Sequence, residues 1–150
     1  MQRRTFLAFA SLLPGLAILR NPAQAQAPDP AFVRVTTPRE FESVVRRARE
    51  RRKPILVYVS AEWCPICKSI ERRVFAHPVI KMRLASIALV RADVTELYDG
   101  SRALMERFRV AGPPTMFAID PKNGRELPRT RLVGAVDANL FLDTLNIAGL

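Results

Sequence analysis

The sequence predicts an α/β fold in which helices flank a central mixed sheet, with parallel strands and a C-terminal antiparallel hairpin. Short β-branched runs alternate with segments that are apolar at every third or fourth residue, the pattern of strands alternating with amphipathic helices. This alternation favours parallel pairing, because the helix supplies the crossover between two parallel strands. Near the C-terminus, the turn at 120–124 has Asn-Gly at its core and therefore favours a hairpin.

The first helix carries clear start and stop signals. Thr37 is expected to cap it, Pro38 to take its first position, and Glu40 to complete a capping box. The helix should end near Pro54, because the residue before a proline disfavours the helical conformation. Its apolar stripe is expected to consist of Phe41, Val44, Val45 and Ala48.

The other elements follow from the same patterns. An edge strand is expected at 32–35, and a strand at 55–59 leads into a helix from about 64 to 76. Further along, we expect a short helix at 79–84, a strand at 87–94, a helix at 99–109, strands at 115–119 and 129–133, and a last helix that Asp137 caps and that runs to Ile147.

Residues 1–25 are expected to be a secretory signal peptide, outside the fold. Two arginines precede an apolar stretch at 5–18, and Ala-x-Ala triplets follow, so cleavage is expected after Ala25. Arg3-Arg4-Thr5-Phe6-Leu7 fits the twin-arginine export pattern, and the Sec route remains an alternative. An uncleaved signal would tether the protein to the membrane, but the apolar stretch is short for a span and Pro14-Gly15 interrupts it.

Residues 26–150 are expected to form one domain with a positive charge. The whole sequence carries a net charge of +10, yet the basic residues are scattered, and only 46–53 is a dense basic run. That run lies on a helix whose other face is apolar, so we interpret it as a solvated helix face. We therefore expect no nucleic-acid partner, and a monomer.

The only two cysteines, Cys64 and Cys67, open the helix that follows the 55–59 strand. Unpaired N–H groups and the helix dipole favour a thiolate there, so Cys64 should attack a substrate and Cys67, the less exposed, should resolve the mixed disulfide. A structural disulfide is disfavoured because this one closes almost no loop. A metal site is disfavoured because only His77 is left as a soft ligand. The pattern predicts a redox-active disulfide with no cofactor and no metal.

The motif Trp63-Cys64-Pro65-Ile66-Cys67 after a central strand, together with Gly-x-Pro-Thr before the hairpin, resembles the thioredoxin superfamily. Within that superfamily, the stretches 61–71, 74–79 and 91–95 are most similar to the C-terminal periplasmic domain of DsbD-type thiol:disulfide interchange proteins. The stretch 132–135 is similar to the final strand of many thioredoxins. The resemblance covers nearly all of 33–147 and implies a thioredoxin-like fold.

The resemblance also implies roles for residues around the cysteines. Trp63 would cover the disulfide and offer partners an apolar platform, although a single tryptophan is often plain core. Pro65 and Ile66 would influence which redox form is favoured. Pro114 would be a cis-proline that faces the disulfide and presents the chain for pairing with a substrate. Pro113 is a departure from the family, because a proline there offers no N–H donor.

A second departure concerns a buried acid that these families usually carry six residues before the first cysteine. In this sequence that position is Tyr58. Glu71 matches an acid of the DsbD-type domains and lies four residues beyond Cys67, on the same helix face. We expect Glu71 to take over part of the proton handling.

The resemblance therefore implies an exported, periplasmic thiol:disulfide oxidoreductase, most simply a reductase or interchange protein. Its partners would be exported substrate proteins with disulfides, cytochrome c maturation factors among the candidates, and a separate membrane electron donor. Two alternatives remain: a net oxidant that forms disulfides, and a non-catalytic binding or chaperone module that keeps the fold. No sequence feature sets the direction of electron flow.

Overall fold

The computed structural model describes residues 30–150, so the signal peptide expected at 1–25 lies outside the described residues. The strands in the described part are β1 (Val33–Val35), β2 (Ile55–Ser60), β3 (Ala88–Asp93), β4 (Thr115–Ile119) and β5 (Leu132–Val133). The α-helices are α1 (Pro38–Glu50), α2 (Pro65–Ile70), α3 (Pro78–Leu84), α4 (Asp99–Phe108) and α5 (Ala138–Ile147). A π-helical segment, Glu71–Phe75, continues α2.

The strands form one mixed sheet in the order β1-β3-β2-β4-β5. β3 pairs in parallel with both β1 and β2, whereas β4 pairs antiparallel with β2 and with β5. All six residues of β2 are buried at the centre of this sheet. The expected α/β fold with a mixed sheet and a C-terminal antiparallel hairpin is confirmed.

Helices cover both faces of the sheet. Phe117 of β4 pairs with Val57 and packs its ring against Phe108 of α4, at 5.3 Å between centroids. Tyr58, the next residue of β2, must point to the opposite face, and its ring packs against Phe75 of the π-helical segment at 5.1 Å. Accordingly, α1 and α4 contact each other on one side, while α3 and α5 contact the π-helical segment on the other.

The start of α1 confirms the expected capping box. The Thr37 hydroxyl accepts a hydrogen bond from the Glu40 amide, and the Glu40 carboxylate accepts one from the Thr37 amide. These bonds satisfy amide groups that a helix N-terminus otherwise leaves without partners. They hold the pKa of Glu40 below its ordinary value, chiefly through the hydrogen bond from the Thr36 amide.

One expectation about element boundaries was wrong, and one helix differs in geometry. The helix expected from about 64 to 76 is helical over 65–75, as expected, but it changes from α-helical to π-helical geometry at Glu71. The strand expected at 129–133 is reduced to β5, because Arg129 has a positive φ of 59° that breaks the extended conformation. Just before β5, the Thr130 hydroxyl accepts a hydrogen bond from the Ala118 amide of β4. A side chain therefore takes the place of a backbone hydrogen bond between the two strands.

No helix within residues 30–150 is both long enough and apolar enough to cross a membrane.

Candidate redox site

The two cysteines lie where β2 leaves the sheet and α2 begins. Cys64 is the N-cap of α2, with Pro65 at the first helical position, where a missing N–H costs no hydrogen bond. Cys64 and Cys67 form a disulfide with their Cα atoms 5.3 Å apart. The Cys67 amide also donates to Cys64 Sγ at 3.1 Å. The strand-to-helix position expected from the sequence is confirmed, and it directs a helix N-terminus at one sulfur of the pair.

Both cysteines are nearly closed off from solvent in this disulfide form. Cys64 is 3% exposed and Cys67 is 1% exposed. Cys67 is thus the less exposed of the two cysteines, as expected, but only by a small margin. Next to them, Trp63 is 57% exposed and Ile66 is 43% exposed. The reading of Trp63 as plain core is therefore wrong, and two apolar side chains face solvent around a buried disulfide.

Trp63 is held in place by the loop that follows β3. Its indole Nε1 donates to the Thr95 carbonyl oxygen at 3.0 Å, and the adjacent Glu62 amide donates to Thr95 Oγ1 at 2.9 Å. The Thr95 amide in turn donates to Asp93 Oδ1 at 2.8 Å. This chain of hydrogen bonds fixes the segment before the cysteines to the carboxyl end of the sheet.

Asp93 is an ionised acid at the base of this chain of hydrogen bonds. It is 7% exposed, and its Oδ2 forms an ion pair with Arg34 Nε at 2.7 Å. Burial alone would raise the pKa of Asp93, but hydrogen bonds from Thr95 and the charge of Arg34 outweigh it, so the pKa lies below its ordinary value. Asp93 was not among the site residues expected from the sequence. An acid at the end of a buried strand, two residues before a threonine, is the signal that could have found it.

Tyr58 lies beneath the second cysteine. It is fully buried, and its hydroxyl donates to the Cys67 carbonyl oxygen at 3.2 Å and contacts Glu71 Oε1 at 3.5 Å. Burial and the negative charge of Glu71 raise the pKa of Tyr58, and nearby Arg91 offsets only part of that. The hydroxyl therefore stays protonated and acts as a hydrogen-bond donor.

Glu71 is joined to this group by Arg91, which was not among the site residues expected from the sequence. The Arg91 guanidinium pairs with the Glu71 carboxylate and lies over the Tyr58 ring, 5.6 Å from its centroid. Arg91 belongs to β3 and faces Tyr58 across the parallel pairing of β2 with β3. Glu71 thus lies on the Cys67 side of the helix, as expected, and its link to Cys67 runs through the Tyr58 hydroxyl.

The Pro113–Pro114 peptide bond is cis. Pro114 is buried and precedes Thr115, the first residue of β4, which pairs with Val59 near the end of β2 and with Val133 of β5. The Pro114 carbonyl oxygen accepts from the Gly134 amide at 3.0 Å. Because Val59 lies five residues before Cys64, Pro114 is located at the same end of the sheet as the disulfide.

In the part of the chain that the structure describes, no three His, Cys, Asp or Glu side chains are grouped so that they could hold a metal ion. His77, the soft ligand considered from the sequence, is the N-cap of α3.

Comparisons with known proteins agree with this geometry. The family model described as thioredoxin-like matches residues 36–121. Among curated proteins, the thiol:disulfide interchange protein DsbD 1 of Pseudomonas aeruginosa is 36% identical over 104 residues, which cover 69% of this chain and 17% of the relative. DsbD of Pseudomonas fluorescens is 38% identical over 112 residues, which cover 75% of this chain and 19% of the relative. The chain thus spans about a fifth of the length of these relatives.

Solved structures share the fold. The oxidised C-terminal domain of Neisseria meningitidis DsbD aligns with a TM-score of 0.67 at 22% identity, covering 79% of this chain and 99% of that domain. A thioredoxin from Thermus thermophilus aligns with a TM-score of 0.60 at 26% identity, covering 71% of this chain and 81% of that one. The family model matches more than half of the sequence. The chain therefore belongs to the thioredoxin-like family.

Proposed function

We propose that this chain is an exported thiol:disulfide oxidoreductase that reduces or exchanges disulfides in periplasmic proteins through Cys64 and Cys67. The observation that carries the proposal is the Cys64–Cys67 disulfide at the first turn of α2, with Cys64 as the N-cap. A helix N-terminus stabilises the thiolate, which is the form of cysteine that attacks disulfides. The DsbD relatives are named as thiol:disulfide interchange proteins, which supports the same chemistry.

The first step begins from the reduced chain. The Cys64 thiolate attacks one sulfur of a substrate disulfide, so that a Cys64–substrate bond forms and the substrate S–S bond breaks. The displaced substrate sulfur leaves as a thiolate and takes up a proton. Cys64 is the attacking residue because it stands at the N-cap, whereas Cys67 lies one turn inside the helix.

The second step releases the substrate. Cys67, as a thiolate, attacks Cys64 Sγ, which forms the Cys64–Cys67 disulfide and expels the second substrate thiolate. Two electrons have then moved from the chain to the substrate, and two protons end on the substrate thiols. The oxidised chain needs a dithiol donor to return to its reduced form, and we assign that role to a separate membrane protein.

Exposed apolar side chains form the surface on which a substrate would dock. Trp63 and Ile66 border the disulfide, and Val133, which is 70% exposed, pairs with Thr115 directly after Pro114. An extended substrate segment could lie along Pro114, while Pro113 adds apolar contact without a donor. This surface fits unfolded or flexible exported proteins, which present apolar segments around their cysteines.

Pro65 and Glu71 complete the supporting residues. Pro65 fixes the first turn of α2 and thereby the spacing of the two sulfurs. The carboxylate of Glu71 contacts the hydroxyl of Tyr58, which binds the Cys67 carbonyl oxygen. We assign to Glu71 a part in removing the thiol proton of Cys67 in the second step, through its negative charge near this residue, because the Tyr58 hydroxyl binds the Cys67 carbonyl oxygen and not its sulfur. A Glu71→Gln variant should therefore slow resolution of the mixed disulfide in a pH-dependent way.

Two single-cysteine variants test the assignment of roles. Cys67→Ser retains Cys64 alone and should accumulate a mixed disulfide with a model substrate such as insulin. Cys64→Ser retains Cys67 alone as the matched control and should trap substrate at least about tenfold more slowly, because Cys64 is the N-cap, where the helix N-terminus stabilises a thiolate, whereas Cys67 lies inside the helix. Equal trapping by both variants would overturn the assignment of Cys64 as the attacking residue.

The direction of electron flow is tested by the reduction potential of the Cys64–Cys67 pair, equilibrated with glutathione or dithiothreitol buffers. We expect a value near that of thioredoxin, about −270 mV, as a reductase requires. A value near that of DsbA, about −120 mV, would instead make the protein a disulfide-forming oxidant. A normal disulfide without insulin reduction would favour a non-catalytic binding module.

A further inference from the structure

The end of the sheet opposite the disulfide carries a dense group of basic side chains. β2 and β3 begin at this end and β4 finishes there, since Ile55 pairs with both Ala88 and Ile119. We call this surface the basic end and define it by Arg46, Arg47, Arg49, Arg51, Arg52, Lys53, Lys122 and Arg125. Each of these residues is exposed except Lys53, which is partly exposed.

Residues from distant parts of the sequence meet at the basic end. Arg49 Nε donates to the Pro121 carbonyl oxygen at 2.9 Å, which joins α1 to the turn between β4 and β5. On the other side, Arg47, Arg51 and Lys53 border a shallow recess of about 170 Å³ that also involves the start of β3. The basic run of 46–53 is therefore part of a wider surface that also includes the turn between β4 and β5.

The cations of the basic end have no carboxylate partners. The ion pairs formed within residues 30–150 use Arg34, Arg91, Arg107 and Arg131, none of which belongs to this surface. Asp120, an acid in the adjoining turn, uses its carboxylate to hold the Lys122 amide and the Asn123 side chain. Glu50, the acid within the run of 46–53, is exposed and forms none of these ion pairs, so the surface keeps a net positive charge that is open to a ligand from outside.

The chain enters the described part of the fold at this same end. Ala31, just before β1, lines the recess beside Arg47 and Arg51. The export segment expected at 1–25 precedes it in the sequence. The disulfide lies at the far end of β2, a strand of six residues that spans about 20 Å.

We propose that the basic end docks the protein on an anionic phospholipid surface, with the disulfide directed away from the bilayer. Lys and Arg side chains near such a surface are attracted by its negative potential, and their contributions accumulate. A protein partner is less suited, because protein interfaces have an apolar centre, whereas apolar residues at this end line only a shallow recess, in which Val33 is the one exposed large apolar side chain among the lining residues. Docking in this orientation leaves Trp63 and the cysteines free for substrates.

Vesicle co-sedimentation of the exported chain tests this proposal. The variant Arg46→Gln, Arg51→Gln, Arg52→Gln and Lys53→Gln removes four charges from the basic end. The matched control Arg39→Gln, Arg73→Gln, Arg102→Gln and Arg129→Gln removes four exposed charges elsewhere. Vesicles of phosphatidylcholine with and without phosphatidylglycerol are compared at low and high salt, and insulin reduction is measured on every variant.

We expect the wild type to bind only vesicles that contain phosphatidylglycerol, and to be released by salt. The basic-end variant should lose at least about tenfold in binding, and the control should lose much less, because proximity to the surface matters more than net charge. Insulin reduction should be unchanged in both variants, which separates this proposal from the proposed function. Equal losses in both variants, or binding that ignores phosphatidylglycerol, would overturn the proposal. The proposal would also be overturned if the wild type bound an acidic protein through the basic end and bound no vesicles.

Discussion

Replacing Tyr58 with phenylalanine is the most informative perturbation of the site. It removes the buried hydroxyl that donates to the Cys67 carbonyl oxygen and leaves the ring packing against Phe75 intact. The Cys67 carbonyl oxygen still accepts from the Glu71 amide, and the Glu71 carboxylate still pairs with Arg91. No buried group is therefore left without a partner, and the loss is one ordinary hydrogen bond.

The expected cost at neutral pH is about 0.5–1.5 kcal/mol of unfolding free energy, the net value of one such bond. The dependence on alkaline pH is more diagnostic. The pKa of Tyr58 is raised in the folded state, so the folded state keeps this proton when the unfolded state, with a pKa of about 10, loses it. The stabilisation is complete below about pH 10 and is lost as the pH rises above it, by up to about 1.4 kcal/mol per unit.

The assay is urea unfolding of the disulfide form between neutral pH and pH 11, followed by far-UV circular dichroism. The wild type should lose stability above pH 10 more steeply than Tyr58→Phe does. Tyr98→Phe is the matched control, because Tyr98 is the only other tyrosine and is 49% exposed. If Tyr58→Phe follows the wild-type pH dependence, or costs more than about 3 kcal/mol, then the hydroxyl does not have the environment described.

Two further predictions concern stability elsewhere. Asp93→Asn should cost about 1–2 kcal/mol at neutral pH, since it weakens the bond from the Thr95 amide and an ion pair whose Arg34 partner is 61% exposed and screened by solvent. The pKa of Asp93 is lowered in the folded state, so the difference in unfolding free energy between the wild type and Asp93→Asn should reach its full size above pH 3.8. The difference should vanish as the pH falls below that value, and urea unfolding at several pH values would detect this loss. Thr37→Ala should cost about 1 kcal/mol by removing the cap of α1, and an unchanged thermal midpoint would contradict that role.

Local patterns in the sequence were sufficient for most of the fold. The capping box at Thr37 and Glu40 depends on residues three positions apart, and β4 was bounded by a proline and a turn on either side. The cysteine pair at the start of α2 was equally visible, because its chemistry needs only a strand, a helix start and a spacing of three. These features are encoded locally, so a single sequence reveals them.

What the sequence did not reveal depends on residues that are far apart along the chain. The length of β5 was decided by the Arg129 conformation and by the Thr130 hydroxyl, which takes the place of a ladder bond. Tyr58 and Glu71 were noticed, but the cation that joins them, Arg91, comes from another strand.

The sequence likewise placed the basic run of 46–53 on one helix, and only the fold brings the turn between β4 and β5 beside it. The sequence by itself therefore determined the order of the elements and the reactive pair. Only the tertiary structure decided which charges are paired, which are left open, and what surrounds the disulfide, because pairing and burial are set by contacts between segments that local patterns do not specify.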